Sequence, residues 1–196
     1  MILEDQEVLQ MTPDLADHAV LMIQSVREIN AQHVLELGTA RGDSARILAL
    51  GLEKTGGRLT TLDKLPPYAD PQEWLTAFKV RYPKTIFIEA DSTQYQWNEE
   101  IDLLFIDSSH IYSETIAELN KHGPWVKPGG SILLHDTQHT DGPSMHTNSP
   151  NMRMGMAVTR AIQEWTHLHK LVWTNYPGRW GMGKIFISKD LRGSRT

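Results

Sequence analysis

Apolar residues along the chain follow two alternating patterns, short continuous runs and longer stretches with helical spacing. The continuous runs cover residues 33–37, 58–62, 85–90, 101–106 and 131–134. The helical stretches cover residues 12–29, 43–54, 72–81, 113–122 and 156–169. Continuous apolar runs predict strands buried on both faces, and apolar residues at every third or fourth position predict amphipathic helices. Because the two alternate, the sequence predicts an α/β fold with a doubly wound parallel sheet covered by helices on both faces.

The last part of the chain breaks this alternation. Residues 170–176 and 182–188 predict two strands that are separated only by the turn 177–180. A connection this short joins antiparallel strands only. The expected sheet therefore has seven strands, is mostly parallel, and ends in an antiparallel C-terminal hairpin.

The length of 196 residues fits a single domain, which we place at residues 1–188. Within this domain, residues 1–12 are expected to form an N-terminal arm. Residues 189–196 are polar and basic and are expected to form a flexible tail.

A long loop is expected to cover the mouth of the site. Residues 137–155 are rich in Ser, Thr, His, Asn, Pro and Met and show no periodicity. Because this loop leaves the carboxyl end of the fifth strand, we expect it to act as a substrate lid. His139 and His146 are its candidate substrate contacts, and the Pro-rich loop 65–68 is a candidate for another wall of the site.

Composition narrows the class of protein. The absence of cysteine excludes a disulfide scaffold, a thiolate zinc site and a cysteine nucleophile. The formal charge of −5 gives no electrostatic basis for unselective binding of nucleic acid. No segment approaches the roughly 20 consecutive apolar residues of a membrane span, and the acidic start of the chain is unlike a signal peptide. We therefore expect a soluble, cytoplasmic protein.

Glu36, Gly38 and Gly42 form an acid-x-Gly-x-x-x-Gly loop between the first strand and its helix. Glycines here let the backbone turn tightly and approach a ligand over the helix N-terminus. A dinucleotide-binding loop has the pattern Gly-x-Gly-x-x-Gly, followed about 20 residues later by an acid, which Asp63 would supply. Position 40 is Ala, however, so the glycine that admits a pyrophosphate is missing. A carboxylate beside the first glycine suits a ligand with an ammonium or sulfonium charge instead.

This loop resembles the first motif of the class I S-adenosylmethionine-dependent methyltransferases, and the likeness extends over residues 12–188. The resemblance implies a Rossmann-like fold and a site for S-adenosylmethionine (SAM). Asp63 matches the acid that holds the ribose hydroxyls, and Asp91 with Ser92 matches the pair that contacts adenine. The residues expected at the cofactor are Glu36, Gly38, Thr39, Gly42, Ser44, Asp63, Asp91, Ser92 and Asp107. The alternative for Asp63 and Asp91 is a structural role as helix N-caps.

A second group of polar residues follows the fourth and fifth strands. Asp107 and His110 come after the fourth strand, and His135 and Asp136 after the fifth. Neighbouring parallel strands lie about 4.8 Å apart and open on one crevice, so Asp107 and Asp136 are expected to face the same small volume. Two such carboxylates repel each other unless a cation or a shared proton lies between them. Oxygen ligands of this kind are typical of a magnesium site.

The second group narrows the resemblance to a branch with the cephalosporin hydroxylase-like and macrolide-sugar O-methyltransferases, catechol O-methyltransferases being more distant. By resemblance, Asp107 and Asp136 hold magnesium and His110 takes the proton of the substrate hydroxyl. His135 stands where the best-understood members carry a carboxylate and is counted as a third candidate metal ligand. Imidazole suits manganese, iron or zinc better than magnesium, which leaves the metal open. The alternative is that His135 and Asp136 only shape the pocket floor.

These expectations describe a SAM-dependent methyltransferase that acts on a hydroxyl group of a small molecule, with catalytic residues His110 and Asp107. Its expected partner is that small molecule, not nucleic acid or a membrane, and the resemblance leaves self-association into a homo-oligomer open. Two alternatives remain. One is a metal-independent methyltransferase with His110 as the base, and the other is a SAM-binding module without catalysis.

Overall fold

Seven strands form a single sheet in the part of the chain that the computed structural model describes, residues 15–64, 71–138 and 154–192. The strands are β1 (His33–Leu37), β2 (Arg58–Asp63), β3 (Thr85–Glu89), β4 (Ile101–Ile106), β5 (Val126–His135), β6 (Val172–Tyr176) and β7 (Met182–Phe186). The order across the sheet is β3-β2-β1-β4-β5-β7-β6. All pairs from β3 to β5 are parallel, whereas β7 pairs antiparallel with both β5 and β6. The predicted seven-stranded, mostly parallel sheet is confirmed.

Among the described residues, five α-helices cover the two faces of the sheet. They are α1 (Ala16–Glu28), α2 (Asp43–Thr55), α3 (Pro71–Arg81), α4 (Tyr112–His122) and α5 (Met154–His169), with a 3-10 turn at Gly123–Trp125. Within the described ranges, none of these helices has the length and apolar character needed to cross a membrane.

The strands divide their side chains between two hydrophobic cores. On β4, Leu103 belongs to the core under α1 and α2, and the next residue, Leu104, belongs to the core under α4 and α5. On β5, Leu133 and Leu134 divide in the same way. Successive strand residues point to opposite faces, so burial on both sides explains the continuous apolar runs in the sequence.

The direction of the chain reverses between β1 and β4. The chain moves outward from β1 to β2 and β3, and then returns to place β4 on the other side of β1. Ligands of open α/β sheets bind outside the carboxyl ends of the strands at such a reversal. The loops after β1 and β4 flank this reversal: the first carries Gly38 and Gly42, and the second carries Asp107 and His110.

The fifth strand is longer than predicted. The strand was expected at residues 131–134, but β5 begins at Val126 and includes the turn-forming sequence Lys127-Pro128-Gly129-Gly130. The amide of Gly129 donates to the carbonyl of Ile187, and the amide of Ile187 donates to the carbonyl of Gly130. The register with β4 shifts between Ile101 and Leu103. The turn-forming residues therefore stay within the sheet as an irregularity, because hydrogen bonds with a distant segment hold them there.

Several expected features lie outside the described residues. These are the N-terminal arm, the loop 65–68, the two lid histidines, most of the expected lid, and residues 193–196 of the expected tail. At one end of the lid, Gln138 donates its amide hydrogen to the carbonyl of Trp180 at 2.6 Å. At the other end, α5 begins at Met154, so the last two residues assigned to the lid belong to a helix.

Candidate active site

The loop between β1 and α2, residues 38–42, combines left-handed backbone with backbone hydrogen bonds. We call it the cofactor loop, because the sequence predicts that it lies at the cofactor. Gly38 has φ +95°, Ala40 +43° and Gly42 +78°. The amide of Gly42 donates to the carbonyl of Thr39 at 2.7 Å, and α2 begins at the next residue, Asp43. Only glycine adopts these conformations freely, so the two glycines shape the turn, and Ala40 carries strain of the kind found at functional sites.

Gly38 also lets two loops touch. A Cβ atom at this position would lie 2.2 Å from the carbonyl oxygen of Asp107 and 2.9 Å from Cα of Ser108. The amide of Asp107 in turn donates to the carbonyl of Leu37. The missing side chain of Gly38 therefore brings the cofactor loop and the loop after β4 into direct contact.

Glu36 lies at the base of the cofactor loop and is fully buried. Its Oε2 accepts a hydrogen bond from Oγ1 of Thr61 at 2.5 Å, and Thr61 also contacts Oγ1 of Thr39 at 2.5 Å. Burial raises the pKa of Glu36 to about 8, although the neighbouring hydroxyls of Ser44 and Thr61 oppose the shift. Its other oxygen, Oε1, is buried without a hydrogen-bond partner among the described residues. An unpaired buried oxygen of this kind can receive a cationic or hydrogen-bonding ligand group.

Asp63 closes the cofactor loop from the end of β2. Its Oδ2 accepts hydrogen bonds from the amides of Thr39 and Ala40, both at 2.9 Å. Asp63 is the last residue of β2 and the next residue, Lys64, is not helical, so Asp63 is not a helix N-cap. In the structure this residue shapes the loop, and its expected contact with the ribose stays a prediction.

Asp91 and Ser92 follow β3, and both side chains contact other protein groups. Asp91 accepts hydrogen bonds from the amide and hydroxyl of Thr93 at 2.8 and 2.6 Å, and Nζ of Lys64 lies 3.4 Å from its other oxygen. Burial opposes the shift, but these contacts lower the pKa of Asp91. The hydroxyl of Ser92 donates to Glu118 at 2.5 Å. No helix begins directly after Asp91 (the segment that follows is irregular), and the expected contacts with adenine stay predictions.

The second group of residues meets above β4 and β5, as the sequence predicted for neighbouring strands. Nε2 of His110 lies 2.9 Å from Oδ1 of Asp107 and 2.9 Å from Oδ2 of Asp136. Nδ1 of His135 lies 3.5 and 3.3 Å from the same two oxygens. In the described residues, Asp107, His110 and Asp136 form a group with ligand atoms all within 4.8 Å of one another.

The two aspartates and the two histidines of this group shift one another's pKa values. Burial alone would lower the pKa of His110, but hydrogen bonds to Asp107 and Asp136 raise it to about 10. The pKa of His135 rises to about 10 against burial, mainly through the charge of Asp107. Burial would raise the pKa of both carboxyls, but the histidines hold both values below their usual range. His110 and Asp136 have φ of +56° and +62°, so the group is also held in strained backbone.

The floor beneath the group consists of imidazole rings. The ring centroids of His18 on α1 and His135 are 5.7 Å apart, edge to face. Both ring nitrogens of His18 and Nε2 of His135 are buried without a hydrogen-bond partner in the described part of the chain. Nδ1 of His135 is therefore the nitrogen that faces the carboxylates, and sequence reasoning gave no reason to place His18 behind it.

Two further residues near the site were missed by sequence reasoning. Glu118 and His122 lie one turn apart on α4, both are fully buried, and both contact Ser92. The sequence gives one signal for this pair, namely an acid and a histidine four positions apart, with the apolar Leu119 directly after the acid. That spacing is common on exposed helix faces, which is why it did not single them out.

The residues present fit both an S-adenosyl cofactor and a divalent cation. On the cofactor side, the left-handed Gly38 and Gly42 turn the backbone toward the N-terminus of α2, and Oε1 of Glu36 is unpaired in the described ranges. On the reaction side, the carboxylates of Asp107 and Asp136 converge with imidazole nitrogens of His110 and His135, and both kinds of group are donors for divalent metals.

Comparisons with known proteins agree with this geometry. Residues 35–137, more than half of the chain, match a family described as a methyltransferase domain. The methyltransferase PaMTH1 of Podospora anserina, solved with S-adenosylhomocysteine (SAH), has a TM-score of 0.70 at 18% identity, covering 96% of this chain and 89% of its own. An O-methyltransferase of Bacillus cereus in complex with SAH has a TM-score of 0.61 at 18% identity, and the match covers 95% of this chain and 91% of that one. TomG of Streptomyces achromogenes is an O-methyltransferase of tomaymycin synthesis that was solved with SAM. It has a TM-score of 0.60 at 15% identity, and the match covers 96% of this chain and 91% of that one.

In the comparison with curated proteins, no protein matched. The family match and the shared fold confirm the resemblance that the acidic glycine loop suggested. The chain therefore belongs to the family described as a methyltransferase domain.

Proposed function

We propose that this protein transfers the methyl group of SAM to a hydroxyl group of a small molecule and that His110 accepts the hydroxyl proton. The observation that carries the proposal is the group of Asp107, His110 and Asp136, in which one imidazole nitrogen lies 2.9 Å from each carboxylate. The group adjoins the cofactor loop because β4 pairs with β1. The O-methyltransferases among the similar structures support a hydroxyl as the acceptor.

The reaction is a direct displacement at the methyl carbon. A lone pair of the hydroxyl oxygen forms the new bond to carbon, the bond from carbon to the sulfonium sulfur breaks, and its electron pair stays on sulfur. SAH then leaves as a neutral thioether, and the hydroxyl proton passes to Nε2 of His110. The protein contributes the alignment of the two reactants and the removal of the proton.

His110 is a better candidate for the base than His135. The side chain of His110 is 20% exposed, whereas that of His135 is 5% exposed. A substrate that enters from the crevice reaches His110 first. His135 lies beneath it against His18 and is suited to support the carboxylates from below.

The charge balance of the group favours a divalent cation in the working enzyme. The positive charge between Asp107 and Asp136 is otherwise the imidazolium of His110, with its pKa raised to about 10, and a protonated imidazole cannot accept a proton. Asp107 and Asp136 would hold the cation, with Nδ1 of His135 as a further donor. When bound, the cation supplies positive charge that neutralises the carboxylates and makes a nearby hydroxyl more acidic.

The test follows the transfer of isotope-labelled methyl from SAM to a panel of small molecules that carry hydroxyl or amine groups. We expect label in hydroxyl compounds, loss of transfer with EDTA, and unchanged binding of SAH. Asp136→Asn should have the same effect as EDTA, because it removes one charge at nearly constant shape. His110→Ala should retain Mn²⁺ binding and lose roughly 10²–10⁴-fold in turnover, the usual contribution of a general base.

Matched controls are His167→Ala and Asp190→Asn, since both residues are exposed and distant in sequence from the group. Both variants should keep wild-type turnover. Label found only in amine compounds would contradict the hydroxyl acceptor. Activity that survives EDTA but not His110→Ala would establish the metal-independent mechanism instead.

A further inference from the structure

Glu118 on α4 is a buried acid that the proposed reaction does not use. Its side chain is fully buried, and each of its oxygens accepts one hydroxyl hydrogen. The hydroxyl of Ser92 donates to Oε1 at 2.5 Å, and the hydroxyl of Ser108 donates to Oε2 at 2.8 Å. A single carboxyl group thus joins two residues that are 16 positions apart in sequence.

His122 holds the same serine from its other side. Nε2 of His122 lies 2.7 Å from the carbonyl oxygen of Ser92, so it carries the hydrogen of that bond. Burial lowers the pKa of His122 to about 4, which keeps the ring neutral near pH 7. Ser92 is therefore held through its hydroxyl by Glu118 and through its backbone by His122.

The two serines belong to different halves of the site. Ser92 directly follows Asp91, on the turn expected to lie beside adenine. Ser108 directly follows Asp107 and lies two residues before His110. Glu118 therefore bridges the turn on the cofactor side and the loop that carries the reacting groups.

The chemistry of the bridge argues against a role in stability alone. Burial raises the pKa of Glu118 to about 7, although both serine hydroxyls favour the ionised form. Burying an acid costs free energy, and an apolar residue of similar volume often gives equal or greater stability. What an apolar residue cannot do is fix two hydroxyl groups at a defined separation.

We propose that Glu118 is a positioning residue that sets the cofactor-side turn at Ser92 against the loop of Asp107 and His110. The inference takes the roles of these two loops from the proposed function, whereas the hydrogen bonds of Glu118 do not depend on that function. Both oxygens of Glu118 are occupied by serine hydroxyls. It acts through Ser92 and Ser108.

The test compares Glu118→Leu with Glu118→Gln by SAH calorimetry and by amide hydrogen exchange. Leucine removes both hydrogen bonds, so the Kd for SAH should rise about tenfold, as for a lost bond to a charged group. Exchange should become faster in both segments 91–95 and 107–111. Glutamine can accept one hydroxyl hydrogen and donate to the other oxygen, so it should stay within about threefold of the wild-type Kd.

Single serine variants separate the two arms of the bridge. Ser92→Ala should speed exchange in segment 91–95 only, and Ser108→Ala in segment 107–111 only. In the double variant Glu118→Leu/Ser92→Ala, the effect on the Kd for SAH should not exceed that of Glu118→Leu alone, because residues in one network are not additive.

Leu119→Ala is the matched control, since it removes a fully buried apolar side chain from the next position of the same helix. It should lower overall stability without a selective change in the two segments. The proposal is overturned if Glu118→Leu behaves like Leu119→Ala, or if it leaves both segments and the Kd unchanged. If exchange in Glu118→Leu becomes faster only in segments 91–95 and 107–111, but the wild-type protein methylates no hydroxyl, only the proposed function is overturned.

Discussion

Near pH 7 and without ligand, Glu36 is expected to hold a proton, because burial raises its pKa to about 8. An ammonium group placed beside Oε1 would favour the carboxylate and lower that pKa again. Near pH 7 the carboxyl would then lose its proton as the ligand binds. Affinity should rise as the pH increases toward 8 and become constant above it, since the free protein is by then already ionised.

We therefore expect SAH binding at pH 7 to release about one proton, in line with this linkage. Calorimetry in two buffers with different ionisation enthalpies measures the release directly. Glu36→Gln is the control, because it keeps the shape of the side chain but has no proton to lose. Equal binding enthalpies of the wild-type protein in both buffers would contradict the assignment of Glu36 to the ammonium group.

Two glycines with left-handed backbone give a matched comparison. Gly38 has φ +95°, and a Cβ atom there would meet the backbone of Asp107 at 2.2 Å, whereas Gly56 has φ +72° and open space around it. Gly56→Ala should cost only the conformational strain, about 1–2 kcal/mol of unfolding free energy. Gly38→Ala adds a collision with backbone and should cost about 3 kcal/mol or more. Urea denaturation measures both, and equal losses would show that the two loops can separate.

At the scale of elements, α5 is attached to the sheet by a large aromatic side chain. Trp165 is 1% exposed, and a Cβ atom on Gly123 would lie 2.7 Å from its ring. Leu168 on the same helix is 71% exposed. The two residues therefore separate the contribution of packing from that of helix formation.

Trp165→Ala should lower the unfolding free energy by about 3–5 kcal/mol, because it leaves a large cavity. Leu168→Ala should change it by less than about 0.5 kcal/mol, as is usual at exposed positions. Denaturant midpoints of the two variants test this difference. A small loss for Trp165→Ala would mean that α5 repacks or contributes little to the fold.

The elements that the sequence predicted well are those fixed by local pattern. Every strand and helix predicted in the described ranges is present, because continuous apolar runs and helical spacing are properties of neighbouring residues. The predicted start of β5 was wrong, because the strand at residues 127–130 depends on hydrogen bonds to Ile187. A turn-forming sequence contains no information about that distant partner.

The same distinction applies to the site. Asp107, His110, His135 and Asp136 could be brought together from sequence because they end neighbouring strands. Glu118 could not, since its contacts depend on how closely α4 approaches two loops from other strands. Residues at strand ends are thus predictable from topology, and residues that support them from a helix are not.

At the scale of the whole molecule, the sheet differs from that of dinucleotide-binding proteins. Those sheets continue in parallel beyond the fifth strand, whereas β7 here enters antiparallel between β5 and β6.

We expect saturating SAH, at about 100 times its Kd, to add about 2.7 kcal/mol of stability. For a chain of this size that corresponds to a rise in Tm of roughly 5–10 °C. NAD at the same concentration should leave Tm unchanged, and a larger rise with NAD than with SAH would contradict the cofactor.

The position of β7 has a consequence for how the protein is made. A ribosome completes β5 at His135 but reaches the end of β7 only at Phe186. At roughly 5–20 residues per second, that interval lasts several seconds. During that interval the edge of β5 that later pairs with β7 has no partner strand, and its free N–H and C=O groups are a template on which another polypeptide can pair. Translation speed and chaperone supply, more than the stability of the finished fold, should therefore govern how much of this enzyme a cell obtains in active form.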